Sequence, residues 1–314
     1  MSRIIATGAY LPERVITNTE LIQSNQLDSS TEWIEQRTGI KQRHFAEEHE
    51  TVASIATEAA ENLLSKLEDN VRQEIKLIIV ATMSQREYTP STANRVQLLL
   101  ECEQAVSFDI NAACSGFIYA LDVAEKMSRT FTSGYTLVIG AEKMSQILDL
   151  SDRGTAILFG DGAGAILIEN DGEGLVGYDS QLHSQGDKEL SIEVKANDKD
   201  QIFMSMKGRD VFNFVQRTVL PSIEEFMNQH DSLDFLISHQ ANYRFIKMMS
   251  KKFKMDLSNI PSNIHQVGNT SAGSIPILLN QLVENNQIKL NGSQSIIMTG
   301  FGAGLTWGEI FINI

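Results

Sequence analysis

Ala105-Val106-Ser107-Phe108-Asp109-Ile110-Asn111-Ala112-Ala113-Cys114-Ser115-Gly116-Phe117 is the stretch on which the fold turns. Its first half carries apolar, β-favouring residues at Ala105, Val106, Phe108 and Ile110. Beyond Gly116, the positions Phe117, Ala120, Leu121, Ala124 and Met127 recur at helical spacing. Cys114 therefore stands where a buried strand turns into a buried helix. A thiol at a helix N-terminus feels the positive end of the helix dipole, which favours thiolate, the form that attacks carbonyls. A lone cysteine also packs readily as a small hydrophobe, so the rest of the chain has to decide between the two.

Strand and helix patterns alternate on both sides of this junction. Near-continuous apolar strands are predicted at Leu77–Ala81, Ala105–Ile110, Thr136–Ile139, Ala163–Ile168, Phe235–Ile237 and Ser295–Met298. Helices are predicted at Val52–Lys66, Ser91–Leu100, Ser115–Arg129, Val211–Asn228, Asn242–Lys252 and Ser274–Glu284. Such alternation implies helices packed on largely parallel sheets. Residues 170–207 are polar, with a weak alternating stretch, and read as strands and exposed loops joining two halves. The halves look alike in outline: Leu77–Ala81 resembles Phe235–Ile237, the Cys114 loop resembles Gly268-Asn269-Thr270-Ser271, and Thr136–Ile139 resembles Ser295–Met298. Two copies of one α/β unit would turn these loops toward a shared pocket at matching strand ends.

With 314 residues, 42% hydrophobic and 21% charged, the chain is long enough for one large α/β unit or two fused domains. Its two cysteines, Cys102 and Cys114, suggest no disulfide framework and fit a reducing cytosol, with Cys102 read as core. The first strand begins near Ile4, leaving no room for a cleaved signal, and no apolar run approaches the roughly 20 residues of a membrane span. The expected location is cytoplasmic. A net charge of −14 argues against nucleic acid as a general partner.

Two further loops have the character of Cys114. Ser238-His239-Gln240-Ala241-Asn242 closes an apolar strand, where sites in α/β proteins are built, although an isolated histidine is more often structural. Gly268–Gly273 precedes a helix and equally supplies ordinary N-caps. Gly300-Phe301-Gly302-Ala303-Gly304 follows the last apolar strand, and glycines there can bring backbone N–H groups close to a ligand or simply make a tight turn. Together, Cys, His, Asn and a glycine-rich donor loop are what thioester chemistry needs. The thiol accepts an acyl group while N–H donors hold the oxyanion, and His and Asn donate to the carbonyl of a second thioester. If that thioester is malonyl, loss of CO₂ leaves an enolate that attacks the acyl-cysteine.

Ala112–Phe117, His239-Gln240-Ala241-Asn242, Gly268–Ser271, Leu158-Phe159-Gly160-Asp161-Gly162-Ala163-Gly164 and Gly300–Gly308 stand in the order and at the separations of one family. In these motifs the chain resembles β-ketoacyl-[acyl carrier protein] synthase III, a condensing enzyme of thiolase-like fold, from about Ile4 to the C-terminus. The resemblance implies an α/β, thiolase-like fold of two similar halves packed as five layers (αβαβα). Residues 1–169 would carry the nucleophilic Cys114, and residues 170–314 would carry His239 and Asn269. The implied reaction joins an acyl-CoA primer, acetyl-CoA in the first instance, to malonyl-[acyl carrier protein]. The products are 3-oxoacyl-[acyl carrier protein], CoA and CO₂. The resemblance implies a homodimer, a coenzyme A thioester as substrate, no metal and no separate cofactor. The backbone at Cys114 and Ala303 would form the oxyanion hole.

By the same resemblance, the segment Thr31–Ile40 is a coenzyme A site, with Trp33 on the adenine, Arg153 on its other face, and Arg37 and Arg209 also binding CoA. A Trp–adenine–Arg sandwich joins stacking to cation attraction. On the residues alone, Trp33 reads as core and Arg37 as a solvated charge. Three positions depart from the family: Ala303 in a loop that is usually three glycines, Asn213 where many members carry lysine, and Thr89 where many carry phenylalanine.

Arg244, Lys247, Lys251, Lys252 and Lys254 fall in an acid-free run within an acidic chain. At helical spacing, cations line one face and Ile246, Met249 and Phe253 another. That pattern suits any solvated amphipathic helix. The resemblance makes Arg244, Lys247, Lys251 and Lys252 a docking surface for acidic acyl carrier protein. Other readings are a same-fold acyltransferase, a starter condensing enzyme of a secondary pathway, and a cysteine hydrolase, because Cys, His and Asn also form a papain-like set.

Overall fold

The computed structural model describes residues 1–189, 191–196 and 202–314. Two main sheets organise it. The first contains β1 (Arg3–Tyr10), β2 (Ile75–Ala81), β3 (Val106–Ile110), β4 (Tyr135–Glu142) and β5 (Gly162–Glu169), in the order β3-β2-β4-β5-β1. β2 runs parallel to β3 and β4, and β5 is antiparallel to both its neighbours. The second contains β6 (Asp179–Ser184), β7 (Phe235–Ser238), β8 (Ser295–Gly302) and β9 (Thr306–Asn313), in the order β7-β8-β9-β6. There β7 is parallel to β8 and the remaining pairs are antiparallel.

The second sheet thus repeats the first strand for strand, with β7, β8, β9 and β6 in the places of β2, β4, β5 and β1. Among the described residues, β3 has no counterpart. The outline likeness read from the sequence is a likeness of topology, carried with almost no identity of residues.

Leu77 through Ala81 are wholly buried, as a strand covered on both faces requires. On the outer face of the first sheet, Ala56, Ala59 and Leu63 of the helix Val52–Leu64 pack with Ile78, Val80 and Ile139. Between the sheets lie the helices Gly116–Ser128 and Ser274–Glu284. Their Phe117, Leu121, Leu278 and Leu279 meet Leu77 and Ile79 from one side and Ile237 and Met298 from the other. Beyond the second sheet, Ile223, Phe226, Ile246 and Met249 cover Leu236 and Ile297. These are the five layers expected.

The long helix predicted at Val211–Asn228 runs from Gly208 to Met227 with a π-helical turn at Val215–Val219. Pro221, at the start of the following α-helical segment, has no N–H to give the preceding turn, and the wider turn accommodates it. Between the halves, Ile192–Ala196 pairs with Ile202–Met206. Residues 190 and 197–201 of this predicted connector lie outside the described residues. No helix among the described residues is long and apolar enough to cross a membrane.

Candidate active site

The two halves meet through a repeated loop. Asn111 Oδ1 accepts the Ala113 N–H at 3.2 Å, and Asn269 Oδ1 accepts the Ser271 N–H at 2.8 Å. Ala113 and Ser271 share a φ of 48°, unusual for residues other than glycine. A 3₁₀ turn follows each, Ala113–Ser115 and Ser271–Gly273, and then one of the two central helices. The match is therefore Asn111 with Asn269, which sets Cys114 opposite Ala272. One copy of the loop supplies a thiol and the other an amide. Because Asn269 Oδ1 is engaged by an N–H, its Nδ2 is the end available to a ligand.

The Leu158–Gly164 motif holds that amide in place. Asn269 N–H donates to the Leu158 carbonyl at 2.9 Å, and Gly160 N–H donates to the Asn269 carbonyl at 3.0 Å. A Cβ at Gly160 would lie 2.5 Å from the Val267 carbonyl oxygen, so this strand-like pairing needs glycine. Asp161, buried just beyond, accepts from Ala46 N–H at 2.7 Å and Ser145 N–H at 2.8 Å, tying two more loops to the same place.

His239 follows β7 and is buried, its N–H donating to the Thr299 carbonyl at 2.8 Å. Its Nδ1 lies 2.6 Å from Ser274 Oγ, and the edge of Phe301 packs against the ring with centroids 5.3 Å apart. Ser274 Oγ also accepts the Gln240 N–H at 3.4 Å. When the Ser274 proton goes to Nδ1, the imidazole proton sits on Nε2. Burial pushes the imidazole down to about 3, so His239 is neutral at physiological pH.

Cys114 overturns one expectation. Burial pushes its thiol up to about 12, and the Glu142 charge pushes the same way, while Ser271 and the Cys114 backbone N–H pull down. Desolvation of the thiolate outweighs the helix terminus, and the resting group is S–H. The glycine loop lies against it: a Cβ on Gly302 would stand 2.8 Å from Cys114 N and 3.1 Å from its Cβ. Ala303, one residue on, lines an adjoining cavity with Asn111, Ala112 and Ala113, and its carbonyl accepts from Thr306 Oγ1 at 2.9 Å.

Cys114, His239 and Asn269 line one cavity of about 850 Å³. Exposed Trp33, Arg37, Arg153, Arg209 and Arg244 line it too, so a buried reactive end opens to a cationic surface. Trp33 is 39% exposed and is therefore not the core residue its type suggests. The Arg153 guanidinium lies over its ring at 4.9 Å, and Arg37 at 5.9 Å. A sandwich would need two stacking spacings of about 3.5 Å each, so Arg153 must swing off the indole to admit a base. On the helix Tyr243–Phe253, Arg244, Lys247, Lys251 and Lys252 are exposed, as the spacing predicts, while Phe245, Ile246 and Met249 are buried. Lys247 sits over Tyr243 at 5.0 Å, and Lys252 pairs with Glu224 at 2.6 Å, so its charge is already engaged.

Sequence reasoning missed Ser274, Gly302 as the point of closest approach, and Glu142. Ser274 looks like an ordinary helix-start serine. Glu142 did leave a signal, as an acid closing the otherwise uncharged strand Tyr135-Thr136-Leu137-Val138-Ile139-Gly140-Ala141.

Known proteins share both sequence and fold. Models of 3-oxoacyl-[acyl-carrier-protein] synthase III and of its C-terminal region match residues 108–186 and 224–314. The β-ketoacyl-[acyl-carrier-protein] synthase III of Streptococcus sanguinis (strain SK36) is 42% identical over 325 residues, covering 100% of this chain and 99% of that protein. The crystal structure of the 3-oxoacyl-[acyl-carrier-protein] synthase III from Aquifex aeolicus superposes with a TM-score of 0.87 at 38% identity, covering 100% of both chains. The β-ketoacyl-[acyl carrier protein] synthase III from Thermus thermophilus gives 0.90 at 32% identity over 99% of each.

Proposed function

The chain belongs to the β-ketoacyl-[acyl-carrier-protein] synthase III family and carries out that family's initiating condensation of an acyl-CoA with malonyl-[acyl carrier protein]; from this premise we propose that Cys114, His239 and Asn269 are its catalytic residues. In the first half-reaction, Cys114 sulfur attacks the acyl-CoA carbonyl and loses its proton. The tetrahedral oxyanion is held by backbone N–H groups, for which Cys114 and Ala303 are the candidates. The C–S bond to coenzyme A breaks, and the departing thiolate leaves with a proton as CoA–SH. One thioester replaces another at similar energy.

In the second half-reaction, Nε2–H of His239 and Nδ2–H of Asn269 donate to the malonyl thioester carbonyl. The C–CO₂ bond breaks and its electron pair forms an enolate whose oxygen these donors stabilise. The enolate carbon attacks the acyl-cysteine carbonyl, a C–C bond forms, and the C–S bond to Cys114 breaks. The Cys114 thiolate takes up the one proton that the overall reaction consumes.

One observation carries this assignment against a cysteine hydrolase. His239 is buried and neutral, with Nδ1 2.6 Å from Ser274 Oγ. A hydrolase would need it as a base with a pKa near the working pH, and burial pushes it down to about 3. The test is the product: acetyl-CoA with malonyl-carrier should give acetoacetyl-carrier and CO₂ through an acylated Cys114 peptide. Free acetate alone, or a label elsewhere, overturns it.

Trp33, Arg37, Arg153 and Arg209 suit the adenine and phosphates of coenzyme A, one aromatic face among three cations. Arg244, Lys247 and Lys251 suit the acidic carrier, with Lys252 secondary because Glu224 already holds it. A homodimer has support at the edge of the first sheet, where Val106 is 55% and nearby Leu98 77% exposed, on a strand paired on one side only among the described residues and on its adjacent helix. The active site then lies between an N-terminal half, residues 1–169, and a C-terminal half, 170–314, of a cytoplasmic enzyme. Lys251→Glu should raise KM for malonyl-carrier by about tenfold and leave KM for acetyl-CoA unchanged, because a like charge at a docking rim weakens encounter with an acidic partner. Lys252→Glu should have the smaller effect, and equal shifts for both substrates would count against docking.

A further inference from the structure

We propose that Glu142 is a positioning residue for this condensation, holding Ser271, and through it the Asn269 amide, in the geometry that the malonyl step requires. The inference rests on the catalytic assignment of Cys114 and Asn269 above.

Glu142 is the last residue of β4 and is wholly buried. Its carboxylate gathers donors from both halves of the molecule. Thr82 Oγ1 donates at 3.2 Å, and Met83 N–H and Ser84 N–H donate at 3.2 and 3.1 Å. Ser84 Oγ donates as well, its own lone pair being occupied by the Lys143 N–H at 2.9 Å. From the second half, Ser271 Oγ donates to Oε1 at 3.1 Å. Two main-chain N–H groups and three hydroxyls converge on one acid; burial pushes it up to about 7, and these donors favour the carboxylate, the form that accepts from all of them.

Ser271 is where this matters. Its N–H fixes Asn269 Oδ1, its φ is 48°, and its side chain has Glu142 as anchor. A non-glycine residue keeps such a backbone only when its surroundings impose it. Releasing the hydroxyl lets Ser271 relax, and the Asn269 amide turns with it. The Glu142 charge also bears on Cys114, where it opposes the thiolate. One residue thus supports the malonyl step and adds to the burial that keeps the nucleophile a resting thiol.

That opposition gives a signature no general destabilisation produces. In full-length Glu142→Gln, the isosteric amide cannot accept from every donor. Its kcat for condensation should fall about 100-fold, the effect of displacing a reacting group by roughly 1 Å, with KM for acyl-CoA retained. Alkylation of Cys114 by iodoacetamide at neutral pH should instead rise severalfold, since the Glu142 charge that opposes the thiolate is gone. Ser271→Ala leaves the first-half donors on Glu142 intact and should lower kcat in the same way, since it removes the link to Asn269 while keeping the buried acid. Unchanged condensation in either variant overturns the proposal, as does a parallel fall of condensation and alkylation in Glu142→Gln. Acylation of the wild-type enzyme at a residue other than Cys114 overturns the catalytic assignment instead, and is read without any variant.

Discussion

Cys114→Ser is expected to lower condensation by more than about 1000-fold, as removal of an enzyme nucleophile does, and to leave no acylated peptide after incubation with acyl-CoA. The fold should survive. Serine is slightly smaller than cysteine, and the Ser271 hydroxyl beside the thiol offers the new hydroxyl a partner, so the loss of stability should stay near about 1 kcal/mol. A melting curve close to that of the wild type, with transfer abolished, separates lost chemistry from lost structure. The wild-type thiol should also report its own state. With burial pushing Cys114 up to about 12, its thiolate fraction at neutral pH is small and grows about tenfold with each pH step below that value. Alkylation of the free enzyme should therefore climb steadily from neutral pH upward, on top of any change in the reagent. A helix-activated thiolate would instead level off near neutrality. A plateau below about pH 8 would show that the helix terminus prevails over burial after all.

The contrast marks what a sequence can and cannot carry. The Ala105–Phe117 run made the strand, the turn and the helix legible, because each is written in local periodicity. Alternating strands and helices implied helices packed on largely parallel sheets, and the five layers came from the family resemblance. The gathering of Cys114, His239 and Asn269 was legible from motif order, since matched strand ends in a repeated α/β unit face one another. The state of the thiol was not, because desolvation depends on what the other half of the chain places over it. Gly302 and Ala303 look alike in a glycine-rich run, and only the approach of Cys114 to within 2.8 Å of a Cβ position at Gly302 separates them. Ser274 and Glu142 act through contacts spanning 35 and 129 residues, and no local pattern marks such partners. Among the described residues the second sheet lacks a partner for β3, and the short helix Ile264–Val267 leads into Gly268 where β3 leads into Asn111, a substitution that outline similarity conceals.

The half-reactions should come apart at His239 and Asn269. In His239→Ala and Asn269→Ala, Cys114 still meets acyl-CoA, so the acyl-enzyme should form and accumulate. Decarboxylation of malonyl-carrier should fall about 100-fold to 1000-fold for either, the usual effect of removing one oxyanion donor. Asn269→Asp should be worse than alanine. One aspartate oxygen can still accept the Ser271 N–H, so the loop keeps its shape, but the other oxygen replaces Nδ2–H and sets a negative charge against the enolate. The double variant His239→Ala/Asn269→Ala should lose less than the product of the single losses, since both donors serve one oxygen. Neutral donors also predict the pH response. A histidine pushed down to about 3 stays uncharged throughout the physiological range. His239 should then contribute no inflection near the ordinary histidine value of about 6.5; a step near 7 belongs to Glu142, which burial pushes up to about 7, and should vanish in Glu142→Gln. Protonation of His239 would appear only on the acid side, where the ring gains a charge in a buried site and Nδ1 can no longer accept from Ser274. If His239→Ala abolished acyl-enzyme formation along with decarboxylation, the histidine would be acting on Cys114, and the division of labour between thiol and donors would fall.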